Sequence, residues 1–134
     1  MKAGFNPMRW DCQTDGCFNV KRRPKIEMFG DCFPGKGSFG DVDGIVEIRG
    51  CFCLLEWKSG TAPLPRGQER MMIAFTRQPG NIVFVVNGNA QTMVVTGYFV
   101  FWHGKRMEPV QATLGTVKER IRKWVAWVQA ERPA

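Results

Sequence analysis

The chain has 134 residues, enough for one domain that buries a core without disulfide help. Nineteen Lys and Arg against twelve Asp and Glu leave a net charge of +7, which suits a polyanionic partner better than an acidic surface or a neutral metabolite. No apolar run approaches the roughly 20 residues of a membrane span, and Met1-Lys2-Ala3-Gly4-Phe5-Asn6-Pro7 lacks the apolar stretch of a signal peptide, so a cytoplasmic protein with no membrane partner is expected.

Residues 1 to 23 show no clear periodicity and end in the basic cluster Lys21-Arg22-Arg23. Cys12 and Cys17 have the C-x4-C spacing of half a structural Zn²⁺ site, with Cys32 and His103 as candidate completing ligands. One close pair is a thin signal for zinc, and the chain's five cysteines are an odd number, so reduced thiols are the better reading. Pro24 suits the first turn of a short helix reaching about Cys32, which carries Glu27. Phe33-Pro34-Gly35-Lys36-Gly37 then reads as a linker.

Next come two β-prone runs, Ile45-Val46-Glu47-Ile48 and Cys51-Phe52-Cys53-Leu54-Leu55, flanking the two-residue loop Arg49-Gly50. That register sets Asp43 opposite Glu56 and Asp41 opposite Lys58, all four on one face because side chains alternate along a strand. The other face, with Val42, Val46, Ile48, Cys51, Cys53, Leu55 and Trp57, carries no charge and is the expected core side. A three-residue loop would instead bring Asp43 opposite Leu55 and drive a carboxylate toward apolar surroundings. Opposed carboxylates repel at a separation of roughly 5 Å, so the pair calls for a cation between them. Asp41 is expected to pair with Lys58 rather than to serve as a second ligand.

Ser59 to Pro65 forms a loop, and Arg66 to Arg77 a helix with Met71, Met72 and Phe75 among its apolar residues, closed by Pro79-Gly80. Ile82-Val83-Phe84-Val85-Val86 is a continuous apolar run of strand length, consistent with cover on both faces and punctuated by Asn87-Gly88 or Gly88-Asn89. Two further strands are expected around Met93 to Thr96 and Tyr98 to Trp102, with a turn at His103-Gly104. From about residue 113 to 131 a last helix places Leu114, Val117, Ile121, Trp124, Val125 and Val128 on one face, with Lys118, Arg120, Arg122 and Lys123 largely elsewhere. Phe99, Phe101, Trp102, Trp124 and Trp127 suggest core or a dimer interface before base stacking. The order of elements predicts an α/β fold, a mixed central sheet flanked by helices.

Glu27 on a leading helix, Asp43 after a glycine-rich turn, Glu56-Trp57-Lys58 at a strand end and Gln68 on the following helix together resemble the PD-(D/E)XK nuclease superfamily. The layout is most similar to its VRR-NUC branch and to Holliday junction resolvases, over about residues 24 to 88. The first element of the signature stands here as Val42-Asp43 instead of Pro-Asp.

The resemblance implies a restriction-endonuclease-like core. It also implies a Mg²⁺ or Mn²⁺ ion held by Asp43, Glu56 and the backbone carbonyl of Trp57. Lys58 would orient or deprotonate the attacking water, Gln68 would position the lysine or a phosphate, and Glu27 would reach the metal through water. Hard oxygen ligands select such a cation, which offsets charge developing on a phosphodiester under attack. Arg22, Arg23, Lys25 and Lys36 flank the site and are candidate phosphate contacts. The expected function is a divalent-metal-dependent DNA endonuclease selective for junctions, flaps or ends. A homodimer would supply two sites for two strands. The alternative is a catalytically inactive nuclease-fold protein that binds nucleic acid or acts as an inhibitor.

Overall fold

The computed structural model describes residues 24–35, 37, 39–40, 42–60 and 63–131. The chain divides into two compact units, Met1–Asp41 and Val42–Ala134. In the first, a 3-10 helix spans Ile26–Cys32 with Lys25 at its N-cap and no buried residue. Seven residues that contain Gly30 and bury none of their side chains take this tighter form, and the helix starts two residues later than Pro24 suggested. Phe39 meets Phe29 and Phe33 edge-on, at 5.9 and 5.1 Å between ring centres.

The second unit is built on strands β1 (Gly44–Ile48), β2 (Cys51–Lys58), β3 (Ile82–Asn89), β4 (Val94–Trp102), β5 (Lys105–Arg106) and β6 (Val110–Gln111), with helices α1 (Arg66–Thr76) and α2 (Leu114–Glu131). One mixed six-stranded sheet runs in the order β1-β2-β3-β4-β5, and β6 also pairs with β4. The expected mixed α/β sheet is therefore present. β2 and β3 are parallel, joined through α1, whereas the other pairs are antiparallel. A parallel pair needs such a crossover because its strand ends lie a sheet's length apart.

The hairpin takes the two-residue register, from Gly44 against Leu55 to Ile48 against Cys51. Arg49 and Gly50 adopt φ of 52° and 85°, the paired left-handed conformations that match strand twist in a tight hairpin. Arg49 is an unfavourable residue there, and its neighbours support it. The Glu47 carboxylate accepts the Gly50 N–H at 2.7 Å, and the Arg49 guanidinium donates to the Gln129 carbonyl at 2.9 Å.

Two apolar layers sandwich the sheet. On one face, Cys51, Cys53, Ile82, Phe84, Val86 and Val100 pack with Val117, Trp124 and Val128 of α2. Leu54, Val83, Val85, Phe99 and Phe101 pack with Met72 of α1 on the other. β3, central and covered on both sides, has Ile82 to Val86 wholly buried. The expectation that the uncharged hairpin face is core holds on β2, where Cys51 and Cys53 are buried, and requires correction on β1. Val46 and Val42 are 48% and 41% exposed, because β1 lies at the sheet edge, while Leu54 and Glu56 on the charged face are buried by α1. Nor do Asn87-Gly88 or Gly97 end strands. β3 continues to Asn89 and β4 is one strand from Val94 to Trp102, with the register shift between Asn87 and Gly88 absorbed as a bulge. At Gly88 a Cβ would stand 2.3 Å from the Val94 carbonyl oxygen, so only glycine fits.

Among the described residues no helix is long and apolar enough to cross a membrane. Cys32, Cys51 and Cys53 are free thiols, and burial pushes the Cys53 thiol up to about 12. Cys12 and Cys17 lie outside the described residues.

Candidate active site

The C-terminal end of β2 carries the charged cluster. Alternation along the strand turns Glu56 and Lys58 toward α1, where Gln68 sits in the first turn. The Lys58 ammonium donates to Gln68 Oε1 at 2.9 Å, and Gln68 Nε2 donates to Glu56 Oε2 at 3.1 Å. Lys58 Nζ also stands 3.5 Å from Glu56 Oε2, so the three side chains close a ring. An ammonium has no lone pair to offer and a carboxylate no proton, which allows the amide one orientation between them. Gln68 thus reads both charges at once.

Asp43 comes from the turn before β1. One residue beyond the last rung of the ladder, its Oδ2 accepts the backbone N–H of Trp57 at 2.6 Å. The Trp57 indole donates in turn to the Gly88 carbonyl at 3.0 Å, tying the end of β2 to the bulge in β3. Glu56 is only 8% exposed. Burial, followed by the negative charge of Asp43, raises its pKa above the ordinary carboxylate range, while the Gln68 hydrogen bond and Lys58 pull it down. Burial and repulsion win, so the ionised glutamate is held at a cost.

Among the described residues no group of three or more His, Cys, Asp or Glu is gathered to hold a metal. The donors available are the two carboxylates and the Trp57 carbonyl. Their described contacts engage Oδ2 of Asp43 and Oε2 of Glu56, which leaves the second oxygen of each acid for a cation. Hard oxygens in small number match Mg²⁺, which keeps several waters and commonly takes one or two carboxylates from the protein. The donor set fits that ion and lacks the thiolate or imidazole that zinc prefers.

A cleft of about 410 Å³ opens beside Lys58, on the α1 face of the sheet. Lys58, Asn87, Arg106 and Gln111 supply polar groups to its wall, over a floor that includes Val85 and Phe99. Arg106 lies 4.3 Å from the centre of the Phe99 ring and 3.6 Å from Glu69, the residue after Gln68. Among the described residues two cations and no carboxylate line the cleft, although Glu56 and Glu69 neighbour those cations. Arg106 was not singled out from the sequence. Its signal was the Lys105-Arg106 pair directly after the His103-Gly104 turn, which sends the chain back along β4.

Asp43, Glu56, Lys58 and Gln68 are therefore brought together. Glu27 and Lys25 belong to the first compact unit. Asp41, Arg22, Arg23 and Lys36 lie outside the described residues. His103 stands at the turn after β4, edge-on to Trp102 at 4.6 Å, and takes no part in the cluster. Compared with known protein families, curated proteins and solved structures, the chain matches none.

Proposed function

We propose that this protein is a divalent-metal-dependent DNA endonuclease of the PD-(D/E)XK type, acting on phosphodiester bonds. The observation that carries the reading is the Glu56 carboxylate, raised in pKa by burial and then by Asp43, and hydrogen-bonded by Gln68 next to the Lys58 ammonium. A buried acid whose charge is disfavoured is stabilised by a cation, and a lysine at the same point supports chemistry on an anion.

A Mg²⁺ or Mn²⁺ ion bound by Asp43, Glu56 and the Trp57 carbonyl would supply positive charge against that gathering on the attacked phosphate, and would acidify water. Gln68 holds Lys58 and Glu56 at fixed separation, so neither swings away when substrate arrives. Lys58 lines the cleft, where its ammonium neutralises a phosphate oxygen or manages the proton of the incoming water. Arg106 holds a neighbouring phosphate, its guanidinium braced by the Phe99 ring. Recognition of junctions, flaps or ends suits a domain that offers phosphate contacts, which position a duplex without reading its sequence.

A cleavage panel tests this. Wild type, Asp43→Ala and Lys58→Met are incubated with branched, flapped and linear DNA in Mg²⁺, Mn²⁺ or EDTA. Wild type is expected to cut with metal and not with EDTA, and each variant to lose about 100-fold or more. A folded wild type that binds these substrates and cuts none supports the inactive nucleic-acid-binding alternative.

A further inference from the structure

The opposite face of the sheet carries a second cleft, of about 320 Å³, lined by Ile82, Trp102, Arg120, Lys123, Trp124 and Trp127. Its place in the fold separates it from the acidic cluster. Ile82 and Trp102 pair at the start of β3 and the end of β4, three residues along β3 from Val85, which faces the first cleft. At the strand rise this is about 10 Å, with the sheet itself between.

Three indoles in one small cleft would ordinarily be core. Trp124 is, with 2% exposure and its N–H donated to the Gly80 carbonyl at 2.8 Å. Trp127 is 37% exposed and stands edge-on to Trp102 at 5.3 Å between ring centres, so aromatic surface remains at the mouth. Arg120 and Lys123, three residues apart on α2, flank that surface. Among the described residues no acid lines the cleft, and Glu119 on the same helix is paired with Arg122. Among the described residues neither Arg120 nor Lys123 is in a salt bridge or over an aromatic ring.

Indole faces flanked by unpaired cations match one chemistry closely: a flat, partly apolar base joined to a phosphate. We infer that this cleft is a binding site for single-stranded nucleic acid, with a base against Trp127 and the adjoining phosphates on Arg120 and Lys123. The charge of the chain favours a polyanion over a second copy of itself, which would bring the same cations face to face. Aromatic platforms beside a basic track are how strands are held without regard to sequence. The site does not depend on the cleavage reading, since it needs neither metal nor the acidic cluster.

The experiment is a titration of metal-free protein in EDTA with a fluorescein-labelled dT12 strand, followed by anisotropy and by tryptophan quenching at several salt concentrations. Trp127→Ala is expected to weaken binding about tenfold and Trp127→Phe to restore most of it, because a phenyl ring still stacks. Arg120→Glu with Lys123→Glu should weaken binding further and reduce the salt slope by about 1.4, two contacts at roughly 0.7 each. All variants carry exposed or half-exposed substitutions, and their melting curves establish folding. Unchanged binding in Trp127→Ala and the charge-reversed double variant, or no binding by wild type, overturns the proposal. So does a wild-type dimer that Trp127→Ala makes monomeric without altering affinity, which makes the cleft a contact between copies.

Discussion

Glu56 shows how one side chain links stability to function. Its carboxyl is raised in the folded chain by burial and by Asp43, so the native state holds this proton to higher pH than the unfolded chain does. Below the ordinary glutamate range both states are protonated and the group is neutral to stability. As pH rises through the unfolded value the unfolded chain ionises first, and from there to the folded value stability falls. The metal-free Glu56→Gln variant should therefore melt above wild type at pH 7, the gap closing below about pH 4. Saturating Mg²⁺ should raise wild type and leave the variant unmoved. Thermal melts from pH 4 to 8 with and without Mg²⁺ check both. A variant less stable than wild type throughout would show that Lys58 and Gln68 outweigh burial.

The hairpin was the most legible element, because a two-residue loop between alternating strands leaves one register that keeps Asp43 away from the apolar face. Three of the four site residues follow from it directly, and the fourth, Gln68, from a helix start with clear boundaries. What could not be read locally depends on neighbours distant in sequence. The exposure of Val46 follows from the strand order, which puts β1 at the edge. The continuity of β4 through Gly97 depends on β6, whose Val110 carbonyl lies where a Cβ at Gly97 would fall, at 2.9 Å. Two-residue strands such as β5 and β6 carry too little periodicity to announce themselves. The bulge invites its own test. Gly88→Ala forces a methyl group into the β4 backbone and should cost about 1–3 kcal/mol, measured by urea denaturation. Because the Gly88 carbonyl receives the Trp57 indole, the same change should also loosen the end of β2.

For the molecule as a whole, the excess of seven positive charges has consequences away from any one site. If duplex DNA is the partner, log affinity should fall linearly with log salt, by about 0.9 for each phosphate neutralised. Arg106→Ala is expected to lower that slope by about one in a titration between 50 and 200 mM salt, with Asp43→Ala as background so that cleavage does not interfere. An unchanged slope would remove Arg106 from the binding surface. The two clefts also open on opposite faces of one sheet, so loss of binding at one can be separated from loss at the other.

The hydrogen bond from Trp57 N–H to Asp43 makes the last rung of the hairpin a side chain where backbone would normally stand. That amide proton consequently senses the electron density on the acid directly. When a cation draws charge from the aspartate, the Trp57 amide resonance should shift upfield in a proton–nitrogen spectrum while the Ile48 and Cys51 amides at the far end of the hairpin stay put. If the proposed cation binds there, the molecule carries its own occupancy gauge, readable without substrate and without turnover.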